Sequence, residues 1–291
     1  MRAFDLLEPK SINAACAILG GDSDARPIAG GTALLTIIKQ GLLAPRTLVN
    51  LQKINESRGI TFDAQQGLAI GALASIYDIE TSPLVRQHYP ALAKACHLVA
   101  NVRIRNMATI GGNLAHADYQ SDPPTVLAAL DAGIELISAG GKRQLDLSEF
   151  VLGSYDTALR PGELVAFVRL PPQPPGLRST YIKFTTGSSE ERPCAGVAAL
   201  VSQQGGVCRE LRLAVGAVSP KPIRIYAGEE IARDKELAPE LIDQVAMEAA
   251  RAVDPIDDVR GPAEYKRHLV RVLTRRAIVS CADDDQRAPR S

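Results

Sequence analysis

From the N-terminus, short apolar runs alternate with short amphipathic stretches, and twice the pattern pauses at a double glycine. Ser11 to Leu19 has helical spacing, with Ser11 as its cap and Gly20–Gly21 as its stop. Arg26 to Ala29 is a short strand that runs into Gly30–Gly31, after which Thr32 is placed to cap the helix "ALLTIIKQ", ended by Gly41. Thr47 to Leu51 reads as a strand, and "GITFDAQQGLAIGAL" as a hairpin around a polar turn. Pro90 to Ala100 is helical, with Pro90 in the first turn. "TIGGNLAHADYQSD" then reads as irregular chain, although it repeats the grammar of the first glycine loop: an apolar residue, two glycines, and a small polar residue able to cap. Asp122 is expected to cap a helix that opens on Pro123–Pro124 and runs towards Gly133, and "GIELISAGGKRQLDL" is a hairpin turning at Gly140–Gly141.

The strand "GELVAFVRLP" stops at "PPQPPG", where four prolines in six residues exclude both sheet and helix and mark a domain boundary. Beyond it strands are expected near Tyr181 to Thr185, Gly196 to Val201 and Glu210 to Val218. Two helices follow, at Pro239 to Val253 and across "PAEYKRHLVRVLTRRAI", where Tyr265, Leu269, Val272 and Leu273 fall on one face. The polar tail from Asp283 is expected to be disordered.

With 291 residues, 46% of them hydrophobic, the chain can bury the cores of two domains. The 33 basic and 33 acidic residues balance, and the pI is near 6.9, so no electrostatic argument favours nucleic acid or an anionic membrane surface. Five scattered cysteines (Cys16, Cys96, Cys194, Cys208, Cys281) contain no CxxC pair. Neither a zinc site nor a cysteine-ligated iron–sulfur cluster is indicated, and free cysteines fit a reducing cytoplasm. Charges and Pro9 interrupt the N-terminal stretch as a signal peptide, and no apolar run is long enough to cross a membrane.

The glycine pairs carry the candidate chemistry. A double glycine before a helix offers backbone N–H groups with no Cβ in the way, which suits phosphate. Two such loops suit a pyrophosphate held from both sides, and hence a dinucleotide. GxGxxG after a strand, GxxxxGK[ST], HExxH and GxSxG are all missing. The same glycines also serve as tight packing turns, and the sequence leaves both readings open.

"PIAGGTALL", "IRNMATIGGNLAHADYQSDPPTVLAALDA", "PGELVAFVRLP" and "DVRGPAEYKRHLVRVLTRRA" together resemble the FAD-binding medium subunit of the molybdenum hydroxylases, the xanthine dehydrogenase and carbon monoxide dehydrogenase type enzymes. The resemblance runs to about Ala277, and IRN, TIGGN and the downstream SD at fixed spacings are its most specific part. It implies an α+β chain. A two-subdomain FAD-binding domain (PCMH-type) would occupy residues 1–173, in subdomains of about 1–55 and 56–173. A small α+β C-terminal domain with a three-stranded sheet and helices would occupy 177–282, before the tail at 283–291.

The resemblance also implies the site. The FAD pyrophosphate would be bound by Ala29, Gly30, Gly31, Thr32 and Ala33 in one loop and by Thr109, Ile110, Gly111, Gly112 and Asn113 in the other. Asp122 would lie near the flavin nucleotide, Ala100 close to the cofactor, and Val165 and Lys183 near the isoalloxazine ring. A helix cap for Asp122 and a solvated strand position for Lys183 are the plain structural alternatives. No catalytic side chain is expected, because the flavin carries the chemistry. The implied partners are a small subunit with two [2Fe–2S] clusters and a large subunit with the molybdenum cofactor, as a dimer of heterotrimers in the cytoplasm. Electrons would pass from the clusters to FAD and on to an external acceptor.

Several positions depart from the family pattern. Ala33 stands where many members have Asp, Tyr119 where Pro often follows "HAD", and Gly187 and Glu191 where Arg and Asp are common. The cysteine-rich insertion of one branch is missing, so no cluster is expected on this chain. His116 is read as structural or flavin-packing, His97 as core, and Cys194 as unreactive for want of a paired His. Arg103 and Arg105 stay open between phosphate, loop anchoring and partner contact. Two other functions stay in view: a nucleotide-binding assembly module without redox turnover, and an independent flavin reductase. A side chain at Gly111 is expected to block FAD retention, with Gly112 as the internal comparison.

Overall fold

The computed structural model describes residues 3–282; the tail expected to be disordered lies outside the described residues. The chain begins with three parallel strands, β1 (Asp5–Leu7), β2 (Ala25–Ile28) and β3 (Thr47–Asn50), in the order β1–β3–β2. Parallel neighbours need crossovers, and helices α1 (Ile12–Gly21) and α2 (Leu34–Lys39) supply them. α1 forms because the Ser11 hydroxyl accepts the Ala14 N–H and because Ile12, Ala15, Cys16 and Leu19 share a buried face. It continues through Gly20–Gly21 rather than stopping before them. Thr32 is not the cap of α2: Ala33 holds that position without a side-chain bond, and the Thr32 carbonyl accepts the Thr36 hydroxyl instead.

The second unit opens on the expected hairpin, β4 (Ile60–Asp63) and β5 (Gly67–Gly71). A run of helices follows: α3 (Ile76–Thr81), α4 (Pro83–His88), α5 (Pro90–His97), α6 (Val102–Met107), α7 (Ile110–His116) and α8 (Asp122–Ala129). Next come β6 (Gly133–Ser138), β7 (Gly141–Asp146), the one-turn α9 (Leu147–Phe150), the small hairpin β8 (Val151–Gly153) with β9 (Asp156–Thr157), and β10 (Leu164–Leu170). The sheet order is β4–β5–β10–β6–β7, antiparallel throughout. Its inner residues Leu68, Ile70, Ile134, Leu136, Val168 and Leu170 share one core with Ile79, Leu92, Ile110 and Val126 from the helices. Two expectations change here. α5 ends at His97, short of Ala100, and the segment read as irregular contains α7. Thr109 caps α7 by accepting the Gly112 N–H, so Gly111 and Gly112 lie inside its first turn and Asn113 is not a cap.

The third unit is an antiparallel sheet of β11 (Arg178–Phe184), β12 (Ala195–Gln204), β13 (Val207–Gly216) and β14 (Ile223–Arg224), with α10 (Tyr226–Ala232), α11 (Pro239–Ala252) and α12 (Ala263–Ala282). The expected three strands gain a fourth because two-residue β14 pairs with β13 through Val215–Ile223 and Ala214–Arg224, too short a run to show in sequence. On α12 the buried face is Leu269, Val270, Leu273, Ala277 and Ile278; Tyr265 is exposed and Val272 half-buried.

Strand β12 explains how the second and third units meet. Val197, Ala199 and Val201 point into the core with α11 and α12, while Ala198 and Leu200 join the core of the second unit. Both faces are buried, so the strand reads as a continuous apolar run rather than an alternation. The neighbouring strand meets α8 at Gly216, where a Cβ would lie 1.9 Å from Thr125 Oγ1. That oxygen has no hydrogen-bond partner among the described residues. Gly216→Ala is expected to cost about 1–3 kcal/mol by overpacking, measured by denaturant unfolding. Thr125→Ala, which removes the colliding oxygen, should return most of that loss in the double variant; an additive double variant would show that the clash is relieved elsewhere.

Candidate functional site

The loop after β2 is shaped by two different glycine requirements. Gly31 sits at φ 71°, a left-handed turn that glycine enters without steric cost. Gly30 has no room for a side chain, since a Cβ would lie 1.7 Å from the Met107 carbonyl oxygen. The first loop therefore rests on the chain that leads into the second. In the second loop Gly111 is also a packing position: a Cβ would lie 2.6 Å from Ala72 Cβ and 2.8 Å from its carbonyl oxygen. Gly112 is different, with only Thr109 Oγ1 within 4 Å, at 2.9 Å. Packing thus accounts for the first glycine of each pair.

The two loops are not equivalent as donors. In the second, Ile110 N–H donates to the Ala74 carbonyl (3.1 Å), Gly111 to Ala72 (2.8 Å), Gly112 to the Thr109 hydroxyl (3.1 Å) and Asn113 to the Thr109 carbonyl (2.9 Å). In the first, the amides of Gly30, Gly31, Thr32 and Ala33 have no acceptor among the described residues. Four neighbouring orphan N–H groups are what an anion-binding loop presents. The Asn113 side chain is used within the protein as well, hydrogen-bonded to Ser121 at 2.8 and 3.0 Å, which ties α7 to the start of α8.

Asp122 is not the cap of α8, a position held by Ser121. Its buried carboxylate accepts the Tyr181 hydroxyl (2.7 Å) and the Lys183 ammonium (3.0 Å). Residues 181 and 183 alternate along β11, so both reach the same side. Lys183 is no solvated lysine: its side chain is 3% exposed and also donates to the Leu98 carbonyl at 2.7 Å. Burial outweighs both partners and pushes the Asp122 carboxyl up to about 6. Burial, then the nearby Asp122 charge, push the Tyr181 phenol up too.

Ala100, just past α5, has φ 41°, which costs an alanine about 1–2 kcal/mol. Arg105 anchors this segment, donating from Nη1 to the carbonyls of Val99 and Ala100 (3.1 Å each) and from Nε to Glu80 (2.7 Å). His97 is not core: its side chain is 63% exposed and lies 2.7 Å from the other Glu80 oxygen. Burial raises the Glu80 carboxyl, but bonds to His97 and Arg105 outweigh it and hold the group below the usual carboxylate range. Arg103 is exposed. Val165 is buried in β10 opposite Leu136.

The loop between β11 and β12 crosses this region, with Glu190 at 3.4 Å from Asn101 and Arg192 at 2.6 Å from Asp118. Glu191 accepts the Ser188 N–H and so shapes that loop. His116 packs against Tyr155 at 5.1 Å between ring centroids, and burial lowers its pKa. Cys194 is fully buried and burial raises its thiol pKa, which leaves little thiolate. Tyr181, Ser121 and Glu80 were not anticipated. Tyr181 had a signal, its two-residue spacing from Lys183; Glu80 had none, lying 25 residues from Arg105.

Residues 2–173 match the family model described as the FAD binding domain in molybdopterin dehydrogenase, and residues 183–281 the CO dehydrogenase flavoprotein C-terminal domain. The chain is 32% identical to the glyceraldehyde dehydrogenase medium chain of Sulfolobus acidocaldarius, over 96% of this chain and 98% of that one. It is 32% identical to the carbon monoxide dehydrogenase medium chain of Hydrogenophaga pseudoflava, over 94% and 96%. Among solved structures, reconstituted CO dehydrogenase from Oligotropha carboxidovorans superimposes with a TM-score of 0.92 at 32% identity, covering 97% of this chain and 98% of that one. Quinoline 2-oxidoreductase from Pseudomonas putida 86 gives 0.92 at 30% identity, with 97% and 98% covered.

The Asp122 environment makes a pH prediction. The native carboxyl keeps its proton to about pH 6, against 3.8 in the unfolded chain. Its contribution is therefore full below about pH 3.8 and lost as pH rises through about 6, on the order of 3 kcal/mol at about 1.4 kcal/mol per pH unit. Asp122→Asn should remove this component, so the stability of wild type relative to the variant falls between pH 4 and 6 and levels off above. Lys183→Met should carry the fall to higher pH. A constant difference between wild type and Asp122→Asn across that range would show that Asp122 ionises normally in the fold.

Proposed function

Because this chain belongs to the family of FAD-binding medium chains of the molybdenum hydroxylases, we propose that it is the FAD-carrying electron-transfer subunit of a heterotrimeric enzyme of that family. It would stand between the [2Fe–2S] clusters of a small subunit and an external electron acceptor, with the molybdenum cofactor on a large subunit. The observation that carries this reading is the row of partnerless amides from Gly30 to Ala33, set against the entry to the second glycine loop.

The residues present fit a dinucleotide. The amides of Gly30, Gly31, Thr32 and Ala33, with Ala29, would hold the pyrophosphate. Thr109, Ile110, Gly111, Gly112 and Asn113 would form the facing wall, where Gly112 presents backbone with no Cβ. Ala100, Asp122, Val165 and Lys183 would border the rest of the cofactor. FAD, when bound, supplies the redox capacity that no side chain here offers. The charge of Lys183 is met by Asp122 and that of Arg105 by Glu80, so neither is free to neutralise a phosphate. Recognition of the anion would fall to backbone dipoles.

The same reading makes residues 1–173 the FAD-binding domain, in subdomains of about 1–55 and 56–173, and 177–282 the C-terminal domain. Relatives named as medium chains support membership of a larger assembly, for which a dimer of heterotrimers in the cytoplasm is the proposed form. No described helix is long and apolar enough to cross a membrane.

The purified chain should show a flavin spectrum and release FAD on acid treatment, identified by mass. Gly112→Val should lose the flavin and lower the melting midpoint without cofactor less than Gly111→Val does, because its Cβ would meet only Thr109 Oγ1, at 2.9 Å. Gly111→Val should instead fail to fold, because it collides with Ala72. A colourless protein that takes up no added FAD, or full FAD occupancy in Gly112→Val, would overturn the assignment.

A further inference from the structure

Three consecutive carbonyls after α5 are each held by a buried cation. Lys183 takes Leu98, and Arg105 takes both Val99 and Ala100. Each cation is matched by its own buried carboxylate, Asp122 for Lys183 and Glu80 for Arg105. The two pairs come from different places: Glu80 from α3, Arg105 from α6, Asp122 from α8 and Lys183 from β11. A helix commonly ends with glycine in the left-handed region and its last carbonyls solvated or capped. Here the residue at φ 41° is an alanine. The amides of Ala100 and Asn101 have no acceptor among the described residues.

We infer that Glu80–Arg105 and Asp122–Lys183 form a two-sided clamp of positioning residues, which fixes residues 98–100 with their carbonyls on the buried cations and holds Ala100 left-handed, so that this segment is preshaped for the cofactor. The inference rests on the flavin reading for what the segment meets, and on geometry alone for the clamp. Arg105 and Lys183 act on the segment through the backbone carbonyls they hold. Glu80 is the member with no other task visible in the site. It accepts Arg105 and His97 through its two oxygens, and its own carbonyl accepts Arg86 at 2.8 Å, so the clamp is anchored on α3.

The test removes the Glu80–Arg105 pair without stranding a charge and asks whether glycine at position 100 replaces it. The full-length chain is prepared as Glu80→Gln/Arg105→Met, as Ala100→Gly, and as the triple variant. Glu229→Gln/Arg224→Met is the control, because that Arg–Glu pair is equally buried and joins β14 to α10, away from the glycine loops. Melting midpoints without cofactor and FAD dissociation constants are measured for all.

Both pair variants should lower the melting midpoint. Only Glu80→Gln/Arg105→Met should weaken FAD binding, by about tenfold or more, as loss of preorganisation does, and alter the visible circular dichroism of the bound flavin. Ala100→Gly should recover part of the FAD affinity in that background and do little in wild type, because glycine reaches the left-handed conformation unaided. FAD binding within twofold of wild type in Glu80→Gln/Arg105→Met, or an equal loss in the control, would overturn the clamp. If wild type itself takes up no FAD, the flavin reading fails and the clamp is judged by melting alone. Ala100→Gly must then raise the midpoint more in the pair variant than in wild type, and equal increments would overturn it.

Discussion

At Gly30 the Met107 carbonyl oxygen occupies the space a Cβ would need. This contact joins the parallel three-stranded sheet to the helical part of the second unit, because Gly30 follows β2 and Met107 ends α6. It also brings the first glycine loop against the chain that enters the second. The consequence is a division of labour. The first loop keeps four amides without an acceptor among the described residues, while the second spends its amides on Ala72, Ala74 and Thr109. A single close approach of two backbones makes one site from segments about eighty residues apart.

Around that site the charges are used in pairs and in different ways. Glu80 is held below its ordinary pKa range because hydrogen bonds from His97 and Arg105 outweigh its burial. Asp122 is driven the other way because its burial is deeper and outweighs Lys183 and Tyr181. A buried ion pair of the second kind contributes little to stability and is best understood by the geometry it enforces. Here that geometry is shared: both cations end on the same three-residue stretch of backbone.

The sheet of the third unit reaches the same region through β11. Because β12 is buried on both faces, β11 is held firmly enough for Tyr181 and Lys183 to reach α8. The loop from β11 to β12 then crosses from Asn101 to Asp118. Units far apart in sequence thus share one boundary.

Much of this was legible in the residues. Ser11 capped the first helix as its spacing required, both hairpins turned at their polar or glycine positions, and the first glycine loop packs against the chain leading into the second. These are local features, set by φ/ψ preference, capping and periodicity within a few residues. What sequence could not supply was the partner of each group. Gly30 and Gly111 look alike as motif, yet one is cleared for Met107 and the other for Ala72. α5 stops at His97, although helical periodicity continues to Ala100, and the next three carbonyls go to Lys183 and Arg105, which no local pattern announces. Asp122 has the position of a cap but is drawn inward by Tyr181 and Lys183, about sixty residues away. The sequence by itself determined the first helix, the two hairpins and the family; tertiary structure alone decided which backbone amides stay free and where each buried charge finds its counter-charge, because both depend on contacts between residues far apart in the chain.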